Sequence, residues 1–123
     1  NAIYDEYAAK GVEFIALMPG KVATKERKKF VNDFNIKFPV SADKKYKWAV
    51  RMNAAITPEV FLFDKNDSLQ YRGAIDNWFY ALGRYRSEPT DHYLINAVDA
   101  VLAGKAPDIK STEATGCSIQ LPQ

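Results

Sequence analysis

The sequence is poor in the residues that most often carry redox and metal chemistry. Its 123 residues include a single cysteine, Cys117, and a single histidine, His92. One cysteine excludes a disulfide bond within the chain and any metal site built from several of its cysteines. It also excludes a Cys-x-x-Cys dithiol. We predict no bound metal and no cofactor, and we expect His92 to be an ordinary surface residue.

A strong charge bias and long apolar segments are missing as well. The formal net charge of +2 is too small to indicate a nucleic-acid partner, and the most basic run, residues 25–29, is typical of a solvated helix face. No apolar run approaches the ~20 residues that cross a bilayer, so we expect no membrane span. A hydrophobic content of 47% suffices for one core in a chain of this length.

The first ten residues read as the middle of an amphipathic helix. Ile3 and Tyr7 share one face at helical spacing, and Gly11 stands where a glycine commonly ends a helix. The chain also lacks an initiator methionine. We therefore expect this sequence to be a piece of a longer one.

Apolar runs and turn residues predict alternating strands and helices in the first half of the chain. Residues 12–18 read as a buried strand that a Pro-Gly step stops. Thr24 is a candidate N-cap for a helix to about residue 35, and Asp43 can cap a short helix over residues 44–52. The residues of this short helix that we expect to face the core are Tyr46, Trp48, Ala49 and Val50.

A hairpin is the clearest prediction for the second half. Residues 56–63 form the strongest predicted strand, and the four polar residues 65–68 make a tight connection to a second strand over residues 69–72. A long, aromatic-rich connection follows over residues 75–89. This order of elements predicts an α/β fold with a mixed sheet flanked by helices, because strand–helix–strand connections give parallel neighbours and hairpins give antiparallel ones.

The last part of the chain divides into a helix and a tail. Thr90 is a candidate cap for a helix that runs to Ala103 and ends at Gly104. Residues 105–123 are rich in Pro, Ser, Thr and Gly, and this composition is typical of an extended or mobile tail. We therefore predict one domain over residues 1–104 and a C-terminal tail over residues 105–123.

The segment from Thr57 to Asp64, which reads Thr-Pro-Glu-Val-Phe-Leu-Phe-Asp, carries the strongest family signal. Proline cannot donate to a sheet ladder, so Pro58 belongs at a strand start or in a turn. This segment, the Tyr71-Arg72-Gly73 block, the passage from Tyr4 to Ala16 and the block from Gly116 to Ile119 resemble one family. It is the thioredoxin-like redoxin family of alkyl hydroperoxide reductase/thiol-specific antioxidant and thiol-disulfide isomerase type.

The resemblance implies a three-layer thioredoxin-like fold with a mixed sheet and a closing antiparallel hairpin. The first strand and the Cys-x-x-Cys start of the family's helix are absent from this sequence. The resemblance also implies that Pro58 follows a cis peptide bond and that Thr57 and Pro58 contact the substrate. No catalytic residue is carried over to this chain.

The function that the resemblance implies is that of a domain in a larger thiol–disulfide oxidoreductase or peroxidase-like antioxidant protein. Without the dithiol, this chain alone is not expected to carry out dithiol chemistry, and whether it is an enzyme stays open. The implied partner is a protein thiol or disulfide substrate or a partner subunit. The implied location is the periplasm or another place outside the cytoplasm.

A second interpretation is a non-catalytic thioredoxin-like module that binds or supports an assembly, for example beside a cytochrome. Its contact surface would be the candidate interface, which comprises Trp78, Phe79, Tyr80, Arg84 and Arg86, although these aromatics could equally pack over the sheet. Cys117 is either a redox or cross-linking thiol, or an unpaired or lightly buried thiol without a role. A one-cysteine peroxidase is disfavoured, because the tail offers Cys117 no helix N-terminus or neighbouring base.

We expect Glu59 to occupy a solvent-facing edge position.

Overall fold

The computed structural model describes residues 1–81 and 84–119, except for the side chains of residues 79–81, 85 and 117. The described chain divides into two compact units. One comprises residues 1–53, and the other begins at residue 54.

The first unit opens with the predicted helix. Helix α1 (Ala2–Tyr7) continues as a 3₁₀ turn (Ala8–Lys10) and ends at Gly11, whose φ of 90° lies in the left-handed region that favours glycine. Tyr7 is buried on the inner face of this helix, as its spacing from Ile3 predicts.

Strand β1 (Ala16–Pro19) is shorter than the predicted strand over residues 12–18 and lies later in the sequence. Its parallel pairing with β2 (Val40–Asp43) begins only at Ala16 and Val40. Before that point the chain contributes a ring to an aromatic cluster, because Phe14 lies with its centroid 5.5 Å from Tyr4 and 5.8 Å from Phe38. Side-chain packing therefore holds Phe14 before the sheet ladder begins.

Helix α2 (Thr24–Asp33) begins one residue earlier than a cap at Thr24 requires. The N-cap is Ala23, with no side-chain cap, and Thr24 is the first helical residue. The helix also ends before residue 35, where Asn35 adopts a φ of 48°. The prediction of Thr24 as a cap was therefore wrong by one position, a common error at helix ends.

Helix α3 (Lys47–Arg51) confirms the capping role predicted for Asp43. The buried Asp43 carboxylate accepts the backbone N–H groups of Trp48 and Ala49, with the shortest bond 3.0 Å long. The helix begins at Lys47 and not at residue 44, because Tyr46 adopts a left-handed conformation with a φ of 57°. The Tyr46 N–H donates a hydrogen bond to the Asp43 carbonyl, and this bond closes a turn before the helix.

The predicted inner face of α3 is only partly correct. Ala49 is buried and Tyr46 is half-buried. Trp48 and Val50, however, are 44% and 61% exposed, so their assignment to the core was wrong. A five-residue helix presents little more than one turn, and here Ala49 occupies the inward position of that turn.

The second unit contains the predicted hairpin. The strong strand predicted over residues 56–63 is divided into β3 (Ile56–Thr57) and β4 (Val60–Phe63), with Pro58 between them. Strand β4 pairs antiparallel with β5 (Leu69–Gly73). In the connecting turn, the Asp64 carboxylate accepts the N–H groups of Asn66 and Ser68.

The connection over residues 75–89 carries structure that the sequence did not reveal. It contains a short antiparallel pair, β6 (Phe79–Ala81) and β7 (Arg84–Tyr85). Helix α4 (Tyr93–Leu102) follows, with His92 as its N-cap and no side-chain cap bond. The prediction of Thr90 as the cap was therefore wrong, because its hydroxyl instead accepts a 2.6 Å hydrogen bond from the Asn77 amide.

Helix α4 buries Ala97 and Val98 and is followed by Gly104 with a φ of 76°, as predicted for a helix end. The described part of the tail contains β8 (Cys117–Ser118), which pairs antiparallel with β3. Hydrogen bonds thus join the named strands in four pairs, of which β1–β2 is parallel and the others are antiparallel. Throughout the described ranges, every helix is too short or too polar to cross a membrane.

Candidate functional site

The loop predicted to contact substrate lies between β3 and β4. The Thr57–Pro58 peptide bond is cis, and both residues are exposed. Strand β3 is only two residues long, and it offers its backbone groups to a neighbouring chain segment. Thr57 and Pro58 are therefore placed where another extended segment can reach them.

In this structure the segment beside the loop is the chain's own tail. Cys117 lies opposite Thr57 and Ser118 lies opposite Ile56 in the antiparallel pair. The Ile119 N–H donates a 2.8 Å hydrogen bond to the Ala55 carbonyl, which extends the contact beyond β8. We refer to residues 116–119 as the tail strand.

Gly116 brings the tail strand unusually close to the loop. A Cβ at this position would clash with the Thr57 carbonyl oxygen and would lie 2.9 Å from the Thr57 carbonyl carbon and 3.1 Å from Pro58 Cδ. Any side chain at position 116 would therefore push the two segments apart. The Gly-Cys-Ser-Ile block is a short run after a glycine, a pattern that can mark a strand, but its pairing with β3 was not predicted from the sequence.

Just before the tail strand, the tail is fixed to β5. The Arg72 N–H bonds to the Lys110 carbonyl, and the Thr112 N–H bonds to the Arg72 carbonyl, at 3.1 and 3.0 Å. The Thr112 hydroxyl accepts the Ala74 N–H at 2.9 Å. Ala114 is buried in the same unit. Residues 110–114 thus belong to the packed structure around β5.

The hydroxyl of Tyr71 lies at the centre of this attachment. It donates to the Ala74 carbonyl at 2.5 Å and lies 2.6 Å from the Thr112 hydroxyl. Burial raises the pKa of the Tyr71 phenol above its ordinary value of 10.0, the charges of Tyr93 and Glu59 add to the rise, and the Thr112 hydrogen bond opposes it. Tyr71 therefore serves as a neutral structural group.

Glu59 does not occupy the solvent-facing position expected for it. Its side chain is only 10% exposed and accepts hydrogen bonds from Arg72 Nη2 and Nε, 3.1 and 3.3 Å from its Oε2 atom. The Arg72 guanidinium also lies over the Phe61 ring, 4.8 Å from its centroid. The expectation was wrong because Arg72, the cross-strand neighbour of Phe61, supplies the charge that a buried carboxylate needs.

An open cavity of about 550 Å³ adjoins the tail strand and β3. Its lining includes polar side chains from three parts of the second unit, namely Asp76, Asn77, Tyr93, Thr112, Glu113 and Thr115. The apolar part of its lining includes Ile56 of β3. The cavity thus provides space for side chains next to the backbone edge of β3.

The candidate interface comprises residues of the β6–β7 pair and the two residues that flank it, Trp78 and Arg86. Trp78 is 38% exposed, and Arg84 and Arg86 are also exposed. The Arg86 N–H bonds to the Trp78 carbonyl at 2.7 Å, and its Nε donates to the Asn77 carbonyl at 3.0 Å. The side chains of Phe79 and Tyr80 lie outside the description, as does that of Cys117, the candidate redox thiol.

Comparison with known proteins identifies the family. The family model described as Redoxin matches residues 1–77. The chain belongs to the redoxin family. The match includes the β3–β4 loop and the β4–β5 hairpin, so the predicted resemblance is confirmed for the part of the chain on which it chiefly rested.

Curated relatives of this redoxin carry one name. The thiol-disulfide oxidoreductase ResA of Bacillus thuringiensis and that of Bacillus anthracis are each 40% identical to it over 68 residues. The match covers 54% of this chain and 38% of each relative. The chain thus spans well under half the length of the curated relatives it matches.

Two solved structures have the same fold. An uncharacterized conserved protein from Geobacillus kaustophilus matches with a TM-score of 0.81 and 25% identity, over 98% of this chain and 66% of that one. A hypothetical protein from Sinorhizobium meliloti matches with a TM-score of 0.81 and 27% identity, over 98% of this chain and 68% of that one. The predicted α/β thioredoxin-like fold is confirmed.

Proposed function

We propose that this redoxin is the substrate-contacting part of a larger thiol–disulfide oxidoreductase. In this function, Thr57 and Pro58 present backbone groups to an extended protein substrate beside a dithiol that the sequence itself does not carry. The observation that carries the proposal is the β3–β8 pair, since the edge of β3 at Thr57 accepts an extended segment in antiparallel register. The name shared by the curated relatives supports the reaction class.

The proposed chemistry needs groups beyond Cys117. A dithiol enzyme attacks its substrate with a low-pKa thiolate, which a helix N-terminus stabilises, and a second cysteine then resolves the mixed disulfide. We propose that the parent protein supplies this pair ahead of Asn1, that residues 1–104 form the domain, and that residues 105–123 form its tail. The proposal includes a protein substrate and a location outside the cytoplasm. It also includes antioxidant or peroxidase-like activity as a variant of the same chemistry.

The upstream coding sequence and an activity assay test the proposal together. We expect a strand followed by Cys-x-x-Cys upstream of Asn1, and we expect the parent protein to reduce insulin disulfides with dithiothreitol as the electron source. The 123-residue chain is the matched control and should add nothing to the rate of dithiothreitol alone. Unrelated upstream sequence, or a parent protein no faster than the chain, would refute the proposal.

The exposed residues in and beside the β6–β7 pair favour one second candidate, a non-catalytic binding module in an assembly that could include a cytochrome. Trp78, Arg84 and Arg86 are exposed side chains of the types that contribute most to protein interfaces. This candidate predicts that the parent protein lacks reductase activity but binds a partner subunit, and that Trp78→Ala with Phe79→Ala abolishes this binding. Full reductase activity in that double variant, together with unchanged partner binding, would exclude it.

A further inference from the structure

We propose that the tail strand, residues 116–119, is an internal competitor for the substrate-binding edge of β3. In the structure this edge is occupied by the chain's own backbone, so an extended substrate can pair with Thr57 only after the tail strand leaves. The inference rests on the proposed function for the identity of the partner, a cysteine-bearing polypeptide segment. The competition itself requires only backbone pairing.

The pairing geometry is the first argument. Cys117 and Ser118 lie opposite Thr57 and Ile56, and Ile119 bonds to the Ala55 carbonyl at 2.8 Å. Main-chain groups make this ladder, and an exposed strand edge accepts main-chain groups from any extended segment in suitable register. A substrate strand and the tail strand therefore require the same donors and acceptors of β3.

The close approach of Gly116 is the second argument. Because a Cβ there would meet the carbonyl carbon of Thr57 and Cδ of Pro58, no second backbone fits between the tail strand and the loop. Occupancy of this face of the loop by substrate and by tail is thus mutually exclusive.

The contrast between the two parts of the tail is the third argument. Residues up to Ala114 are held by the Thr112 hydrogen bonds and by burial of Ala114 itself. The tail strand contributes a two-residue ladder, and Ser118 is exposed. Short ladders with few buried contacts open at low free-energy cost. The tail strand can therefore detach from about residue 115 while residues 110–114 stay in place.

Tethering determines how strongly the tail strand competes. A segment joined by a short connection to its site acts at an effective concentration of about millimolar or more. To displace the tail strand, a free peptide must be present above this effective concentration multiplied by the ratio of the peptide's dissociation constant to that of the tail strand. Removal of the tail strand should therefore increase the apparent affinity of β3 for a free extended peptide at least tenfold.

The test compares two shortened chains. One ends at residue 115 and lacks the tail strand, and its matched control ends at residue 119 and retains it. The probe is a peptide of residues 115–120 with Cys117→Ser, which pairs as the tail strand does but has no thiol. Its binding is followed by NMR at the Ile56 and Thr57 amides. We expect the chain ending at residue 115 to bind the peptide at least tenfold more tightly than its control.

A full-length variant tests the same point without truncation. Gly116→Val should displace the tail strand, increase peptide binding at least tenfold and speed hydrogen exchange of the Ile119 amide. Ser118→Ala, at an exposed position of the same strand, should change neither. Equal peptide binding by the chains with and without the tail strand, or no binding to either, would overturn the proposal. So would a Gly116→Val chain that remains folded, as judged by circular dichroism, with wild-type binding.

Failure of this inference is distinguishable from failure of the proposed function. The peptide contains no thiol and the assay contains no redox step, so its outcome does not depend on an upstream dithiol. A parent protein that reduces insulin while the peptide results are negative would leave the proposed function intact and remove only the competition.

Discussion

The hydroxyl groups of Tyr71 and Thr112 lie 2.6 Å apart and join the tail to strand β5 through a shared hydrogen bond. Tyr71 is fully buried, and its single hydroxyl proton goes to the Ala74 carbonyl. Thr112 must therefore donate to the Tyr71 oxygen, while its own oxygen accepts the Ala74 N–H. Each hydroxyl has a partner for its proton, so loss of either removes a hydrogen bond from a half-buried polar group.

The first prediction concerns this network. Tyr71→Phe removes the donor to the Ala74 carbonyl and the acceptor for Thr112, and we expect it to lower the free energy of unfolding by about 1–3 kcal/mol. Thr112→Val should have a similar effect. The double variant should lose clearly less than the sum of the two, because both single changes break the same bond. Urea denaturation measures all three, and strict additivity would contradict the shared bond.

The second prediction concerns pH. The folded state raises the pKa of Tyr71, so above the unfolded pKa the unfolded chain releases this proton more readily than the folded chain. The stabilisation is fully present below pH 10.0 and is lost as the pH rises through the raised folded pKa. The difference in unfolding free energy between the wild type and Tyr71→Phe should therefore shrink as the pH rises above 10.0. A constant difference between the two proteins from pH 8 to pH 11 would contradict this.

The third prediction uses two glycines with positive φ. Gly73 has a φ of 137°, and a Cβ there would clash with the hydroxyl and carbonyl oxygens of Thr112 and lie 2.8 Å from its nitrogen. We expect Gly73→Ala to destabilise the protein by about 3 kcal/mol or more, through backbone strain and displacement of the tail. Gly104 has a φ of 76° and no atom within 4 Å of a Cβ, so the control Gly104→Ala should cost only about 1 kcal/mol. Equal losses in thermal denaturation would show that the close approach at Thr112 is unimportant.

Local signals in the sequence correctly predicted the features that depend on nearby residues. Gly11 and Gly104 end helices because each adopts a positive φ that the following turn requires. The polar residues 65–68 make the hairpin turn because the Asp64 carboxylate satisfies backbone N–H groups two and four positions later. These relationships span at most four residues.

The features that sequence reasoning missed depend on distant parts of the chain. Glu59 is buried because Arg72, thirteen positions later, neutralises it, and Thr112 is fixed by Tyr71, forty-one positions earlier. A Ser/Thr-rich tail has the same composition whether or not a strand edge is available to it. The candidate substrate contacts, Thr57 and Pro58, could be predicted from family resemblance, whereas the pairing of the tail strand with β3 could not.

The fourth prediction concerns the cap of α3. The Asp43 carboxylate accepts the backbone N–H groups of Trp48 and Ala49 from a buried position. Asp43→Ala leaves these donors without that acceptor and should cost about 1–2 kcal/mol of stability. Asp43→Asn keeps one acceptor oxygen and should lose less, while Asp33→Ala, at an exposed ion pair, should change stability by less than about 1 kcal/mol. Denaturant titration that ranks Asp33→Ala with Asp43→Ala would contradict the capping role.

The fifth prediction concerns the ion pair behind the substrate-contact loop. Glu59 follows Pro58 directly, and its pairing with Arg72 fixes the start of β4 against β5. Glu59→Ala leaves the guanidinium of Arg72, 28% exposed, without this carboxylate and should cost about 2–3 kcal/mol. Arg72→Ala should cost as much or more, since it also removes the contact with Phe61.

A double-mutant cycle isolates the pair from these additional losses. We expect a coupling energy of about 1–3 kcal/mol between Glu59→Ala and Arg72→Ala, because their charges meet at a largely buried carboxylate. The coupling should decrease little between 0.05 and 0.5 M salt, since mobile ions screen a buried pair weakly. The exposed pair of Lys37 and Asp5 provides the control, with an expected coupling below about 1 kcal/mol that salt reduces. A coupling at Glu59 and Arg72 no larger than this control would mean that the carboxylate is hydrated in solution, and that the loop holding Thr57 is fixed by the backbone ladder alone.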